Sequence, residues 1–243
     1  MSLISCSQYV SGQTDNITNF GVFAALEVMN EKKNVFLGFN HDEVDLQEFM
    51  TNVPVIKNSV GDWVADPPHY WPVLQDKQLS FFAYTPHSSN AKIEAKAGWE
   101  YSSTGEDSKK IKITYTMDPD PQNHADLCVA SAILNQSRTP NADGSVAPVQ
   151  FKFKHALSFI TFKANYEGNL PDNIYLRIDE LVLRNVYNTN TLVYNSGEED
   201  FFSWELISAD AETIDFSNSL ISSRFLLSSS NPDVLLLFID ALA

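Results

Sequence analysis

The chain has 243 residues, 44% apolar and 12% aromatic, enough to bury roughly 70 to 75% of the surface its unfolded form exposes. Sixteen Lys plus Arg against 31 Asp plus Glu give a formal charge of -15. That charge repels phosphate backbones and anionic lipid surfaces, which argues against nucleic-acid and peripheral membrane partners. No run of about eighteen apolar residues occurs, and MSLISCSQYV has neither a basic start nor an apolar stretch of signal-peptide length, so the chain reads as soluble.

In chain order, Ile4, Cys6, Gln8 and Val10 share one side of a first predicted strand. The tetrapeptide Leu3-Ile4-Ser5-Cys6 also resembles a bacterial lipobox, which would make Cys6 a lipidation site. A lipobox needs an apolar segment of roughly 7 to 15 residues before it, and too few residues stand there, so the strand is favoured. Period-two alternation with aromatic and β-branched residues predicts further strands over 19–28, 35–39, 53–57, 79–86, 111–115 and 126–132. Others follow over 149–166, 174–186, 191–194 and 202–207, around Phe225, and over 234–239. DEVDLQEFM offers Asp42 as an N-cap but spaces its apolar residues poorly for one helical face, so a turn or short helix is expected. The fold class predicted is all-β. The polar stretch NQSRTPNADGSVAP, residues 135–148, is set as the boundary between domains spanning 1–147 and 148–243.

The sequence carries few motifs of known chemistry. There is no G-x-S-x-G elbow, no H-E-x-x-H and no phosphate-cradling glycine loop, and Cys6 and Cys128 show no metal-ligand spacing. No catalytic residue, cofactor site or metal site is therefore predicted, and the chain is read as a non-enzyme. MDPDPQNHAD gathers Asp118, Asp120, His124 and Asp126, but it lacks the EF-hand glycine and is read as a solvated β-connection. SGEEDFFSW is read as an acidic turn leading into a strand, and nothing singles out a pair of carboxylates for glycoside chemistry. His155 stands in FKFKHALSFITFKA, where Phe151, Phe153 and Leu157 alternate with Lys152 and Lys154. A buried, neutral imidazole is expected there.

The aromatics of residues 48–86 are more specific. They include Phe49-Met50, Trp63, Tyr70-Trp71-Pro72 and Leu79-Ser80-Phe81-Phe82-Ala83-Tyr84, with Gly61-Asp62 as a turn signal. With Phe20-Gly21-Val22-Phe23-Ala24 before them, Asp126-Leu127-Cys128-Val129-Ala130 after them and the HAL of His155, they form an ordered series. The series resembles the fimbrillin family of anaerobic Gram-negative bacteria, including Mfa-like subunits, in its FGVFA, FM-x-N, YWP, LSFFAY-P, DLLVA and HAL stretches.

That resemblance implies two transthyretin-like β-sandwich domains in tandem, with Trp63, Tyr70, Trp71, Phe81, Phe82, Tyr84 and His155 as motif positions packed in the core. It also implies a secreted lipoprotein at the outer membrane or in a fimbrium, reaching the membrane only through a lipid anchor on its precursor. Its partners would be other fimbrial subunits, with a host protein or glycan as a further target. Such subunits lose an N-terminal strand to an Arg- or Lys-specific protease and accept a strand from the next subunit. Here the first Arg is Arg138, and Lys32 and Lys33 are the earliest basic residues. The apolar run Val234, Leu235, Leu236, Leu237 and Phe238 is expected to be buried on both faces, and it is the candidate strand-exchange edge of an incomplete second domain. The alternative function is a carbohydrate-binding surface module using Trp63, Tyr70, Trp71 and Trp99 as sugar platforms, a reading that requires those rings to be exposed.

Overall fold

Phe20, Val22, Ala24 and Leu26 project from one side of a strand over Asn19–Val28, and Phe23 and Ala25 from the other. All six are buried, so this strand is covered on both faces. The computed structural model describes residues 4–6, 17–28, 47–72, 77–87, 93–101, 107–120, 123–163, 180–194, 202–205, 213–219 and 234–239. Within these lie seventeen β-strands, numbered here along the chain, and no α-helix. The strand expected over 35–39 and the segment around Phe225 lie outside the described residues, as do the side chains of Cys6, Trp99 and Val234 to Phe238.

The chain divides into two compact units. The first comprises Met1–Tyr115, Asp126–Ala156 and Asn190–Leu206, and the second Thr116–Ala125, Leu157–Thr189 and Ile207–Ala243. The chain passes between them several times, whereas the sequence sets one boundary after residue 147. The turn-rich stretch at 135–148 lies wholly in the first unit. There Asp143 accepts from Ser145, Gly144 takes φ 78° and Pro140 bridges Val146, which makes a short hairpin.

The first unit is built on a seven-stranded sheet. Its order is β11 (Phe153–His155), β8 (Cys128–Ala130), β5 (Lys77–Thr85), β2 (Asn19–Val28), β3 (Gln47–Lys57) and β4 (Trp63–Ala65), with β9 (Ile133–Ser137) also on β5. One face packs Phe20, Val22, Met50, Val55, Trp63, Phe81 and Phe151 into a single apolar cluster. Phe20 sits at its centre, with ring centroids 5.1 Å from Trp63, 5.8 Å from Phe151 and 5.5 Å from Phe153, all edge-to-face. A second sheet runs β15 (Phe202–Trp204), β14 (Thr189–Tyr194), β7 (Asp107–Thr116) and β6 (Ile93–Tyr101). It meets the other face, where Tyr194 stands edge-on to Phe82 at 5.4 Å and donates from its hydroxyl to the Ala83 carbonyl at 2.6 Å. The alternation of LSFFAY follows directly, since Phe81 feeds one face and Phe82 the other, both fully buried. A parallel pair joins β1 (Ile4–Cys6) to β10 (Val149–Phe151).

Two sequence expectations differ from this arrangement. QEFM is extended strand at the start of β3, where a turn or short helix was expected. The cause is a bulge opposite β2: Asn52 takes φ 50°, so the buried positions fall at Met50, Val53 and Val55 and the alternation slips. The single strand expected over 149–166 is three, namely β10, β11 and β12 (Ser158–Lys163), because consecutive Ala156 and Leu157 are both buried and end the period-two pattern.

In the second unit β12 pairs antiparallel with β17 (Val234–Ile239), with Phe159 opposite Phe238 and Lys163 opposite Val234. β13 (Glu180–Tyr187) pairs antiparallel with β16 (Thr213–Ser219). Their ladder carries a bulge at which Asn185 takes φ 59° and donates its amide to Asp215 Oδ1 at 3.1 Å.

Candidate functional site

Three of the motif stretches meet at one point. Gly21 of β2 leaves no room for a side chain: a Cβ there would stand 2.5 Å from Tyr84 Cε1 and 2.8 Å from Asn52 Oδ1. The Tyr84 hydroxyl donates to Asn52 Oδ1 at 2.7 Å, and His87 Nε2 lies 3.1 Å from the Asn52 carbonyl oxygen. Asn19 closes the same end, its carbonyl accepting from Thr85 Oγ1 at 2.7 Å and its Oδ1 from the His87 amide at 2.8 Å. These contacts clasp β2 between β3 and β5. Trp63, Phe81, Phe82 and Tyr84 are buried, and half-buried Trp71 packs edge-on to Phe81 at 6.0 Å. Tyr70 departs from the expected core position and is 62% exposed, since it follows Pro67-Pro68 in a segment that has left the sheet.

His155 also departs from its expected place. Its side chain is 29% exposed, and Nδ1 lies 2.6 Å from Asp126 Oδ2. The imidazole sits at the end of β11, where the alternation set by Phe151 and Phe153 runs out, and it meets a carboxylate instead of a dry core. Cys128 lies directly opposite on β8, with Sγ 3.5 Å from His155 Nδ1 and 3.5 Å from Asp126 Oδ2. The Ala156 amide donates to the Leu127 carbonyl at 2.8 Å and extends this strand pair past its last ladder partners. The other members of the acidic loop are engaged locally: His124 Nε2 lies 2.8 Å from the Asp118 carbonyl oxygen, and Asp118 Oδ1 accepts from the Asp120 amide at 2.9 Å.

A cleft of about 450 Å³ is lined by Ile56, Asn58, Asp66, Pro68, His69 and Tyr70, among others. The β3–β4 turn forms one wall. Asn58 Oδ1 accepts from the Val60 and Asp62 amides, and Gly61 takes φ 92°, as the Gly61-Asp62 turn signal leads one to expect. On the other side His69 lies edge-on to Phe49 and hydrogen-bonds the Pro67 carbonyl at 2.8 Å. Trp63 and Trp71, expected as sugar platforms in the carbohydrate reading, take no part in an open face. Tyr70 does.

The family described as fimbrillin-like matches residues 9–213. The chain belongs to the fimbrillin-like family. A solved structure from Bacteroides uniformis ATCC 8492, of a protein with an inferred cell-adhesion role, aligns over 98% of this chain and 97% of its own. The sequence identity is 14% and the TM-score 0.42. No curated protein matches the chain in sequence.

Membership gives this fimbrillin-like protein a fimbrial role. Of its motif positions, Trp63, Phe81, Phe82 and Tyr84 are packed in the core. The cluster of Asp126, Cys128 and His155 escaped sequence reasoning because its members come together only through the β8–β11 register. The one local signal was the Asp-x-Cys spacing, which puts two ligand atoms on the same side of an extended segment.

Proposed function

We propose that this fimbrillin-like chain is a structural subunit or tip adhesin of a fimbrium, assembled by strand donation between subunits of tandem transthyretin-like sandwich domains. The observation that carries the reading is the position of β2. It lies between β5 and β3 and is buried on both faces, and the next residues after it that a Lys-specific protease could cut are Lys32 and Lys33. A cut there releases β1 and β2 together. What remains is a slot one strand wide, about 9 to 10 Å between its walls, with unpaired main-chain groups along both sides. The occupant of a slot covered on both faces must be apolar at consecutive positions. Val234-Leu235-Leu236-Leu237-Phe238 is such a run, so the β17 segment of a neighbouring subunit, once it leaves β12 of its own chain, is the donor. In this reading the donor edge lies at β17 and the acceptor groove at β2, and Cys6 leaves with the released segment, as an anchor borne only by the precursor would.

Limited digestion of the full chain with a Lys-specific protease tests this, followed by mass mapping and light scattering. Cleavage at Lys32 or Lys33, release of the fragment and formation of oligomers are expected, with a peptide spanning residues 231–243 capping the chains. A cut protein that stays monomeric and folded and binds no such peptide would overturn strand donation.

One observation favours carbohydrate binding as a second reading: the exposed Tyr70 ring beside Asn58 and Asp66 in the cleft. An aromatic face flanked by an amide and a carboxylate suits the alternating apolar and hydroxylated faces of a pyranose.

A further inference from the structure

Asp126, Cys128 and His155 bring one carboxylate, one thiol and one imidazole onto the same side of the β8–β11 pair. Asp126 and Cys128 are two residues apart on one extended segment, and His155 is the cross-strand partner of Cys128. The three ligand atoms lie within 4.8 Å of one another. Both acidic partners face the same ring nitrogen, Nδ1. That convergence is unlike a catalytic triad, in which nucleophile and acid occupy opposite nitrogens of the ring. It is the arrangement of ligands around a shared centre.

We propose that these three residues form a binding site for a divalent zinc-like ion. The donor set of thiolate sulfur, imidazole nitrogen and carboxylate oxygen suits an ion of borderline softness. Zinc bonds of about 2.3 Å to sulfur and about 2.0 Å to nitrogen and oxygen imply tetrahedral edges of about 3.5 Å from sulfur to either lighter ligand. The two distances from Cys128 Sγ are already 3.5 Å. Only the 2.6 Å separation of His155 Nδ1 and Asp126 Oδ2 must open, to about 3.3 Å, when the ion replaces the hydrogen between them. Cys128 is buried, while β11 is the end strand of its sheet and His155 is partly open to solvent. The fourth position therefore faces water, which completes the tetrahedron.

Binding removes the thiol proton of Cys128 and leaves His155 neutral with its hydrogen on Nε2. One proton is released per ion if the imidazole began neutral, and two if it began as imidazolium.

The test uses the full chain carrying Cys6→Ser, which leaves Cys128 as its sole thiol, reduced and freed of metal by chelation. Titration with Co(II) is expected to give tetrahedral visible bands together with a near-ultraviolet sulfur-to-cobalt charge-transfer band. Zn(II) should bleach both at one equivalent and shield Cys128 from a thiol reagent. His155→Ala and Asp126→Asn should each weaken Co(II) binding at least tenfold. A parent chain that gives only the weak octahedral spectrum, with no sulfur charge-transfer band and no thiol protection by Zn(II), would overturn the site without recourse to any variant.

Discussion

Gly21 lies beneath the ring of Tyr84, so close that a methyl group on Gly21 would stand 2.5 Å from Cε1. Tyr84 cannot retreat, because its hydroxyl is held by Asn52 at 2.7 Å and its ring stacks on Phe23. Gly21→Ala is therefore an overpacking change and is expected to cost about 1 to 3 kcal/mol. Urea unfolding of the variant measures it. Tyr84→Phe in the same background loses that hydrogen bond, about 1 kcal/mol, but it also frees the ring to shift, so it should recover part of the first cost.

The pair formed by His155 and Asp126 predicts a second loss. His155→Ala removes a 2.6 Å hydrogen bond from a carboxylate whose side chain is only 15% exposed, and the expected cost is about 1 to 3 kcal/mol. The loss arises at the end of a strand pair, so amide exchange should rise first in β11 and β8 and leave β2 protected. Uniform loss of protection across the sheet would place His155 in the main core instead.

The legible parts of the fold are those where strict alternation survives. β2 could be read from Phe20, Val22 and Ala24, and the two faces of β5 from Phe81 and Phe82, because each side chain keeps the phase of its neighbours. β3 could not be read in full. The left-handed turn of Asn52 shifts Met50 out of phase with Val53, and a bulge leaves no trace in hydropathy. β4 and β9 are too short to show a period, and β6 mixes Lys and Glu into its alternation. Tyr70 was misplaced for a different reason: its motif neighbours Trp71 and Pro72 are half-buried, but the ring at 70 projects from the opposite side of the segment into a cleft that only tertiary structure defines.

Tyr194 predicts an alkaline limit. Burial holds its phenol above the ordinary value near 10, with repulsion from Tyr84 acting in the same direction and a hydrogen bond from the Ala130 backbone opposing. A raised value means that the folded state favours the neutral phenol. Its contribution is fully present below about pH 10 and is lost as pH rises beyond that, by up to about 1.4 kcal/mol per unit. Tyr194→Phe loses the 2.6 Å bond to the Ala83 carbonyl and is less stable at neutral pH. Above pH 10 the gap between the two proteins should narrow, as read from parallel denaturation curves over pH 8 to 11. A constant gap would show that Tyr194 ionises no less readily when folded than when unfolded.

Tyr70 separates adhesion from architecture. With 62% of its surface exposed and its ring in the cleft, Tyr70→Ala should leave stability within about 0.5 kcal/mol of the parent. Trp63→Ala, at a site 7% exposed and packed on Phe20 at 5.1 Å, should cost about 3 to 5 kcal/mol. If the cleft takes a pyranose, Tyr70→Ala also weakens binding about tenfold, which is about 1.4 kcal/mol, and Asp66→Asn weakens it further while the protein melts as before. A glycan array followed by titration of its best hit reads both effects. Retention of glycan binding by Tyr70→Ala would remove the cleft from the adhesive surface. A protein that binds no glycan while still forming oligomers after Lys cleavage would assemble by strand donation without using the cleft for sugar.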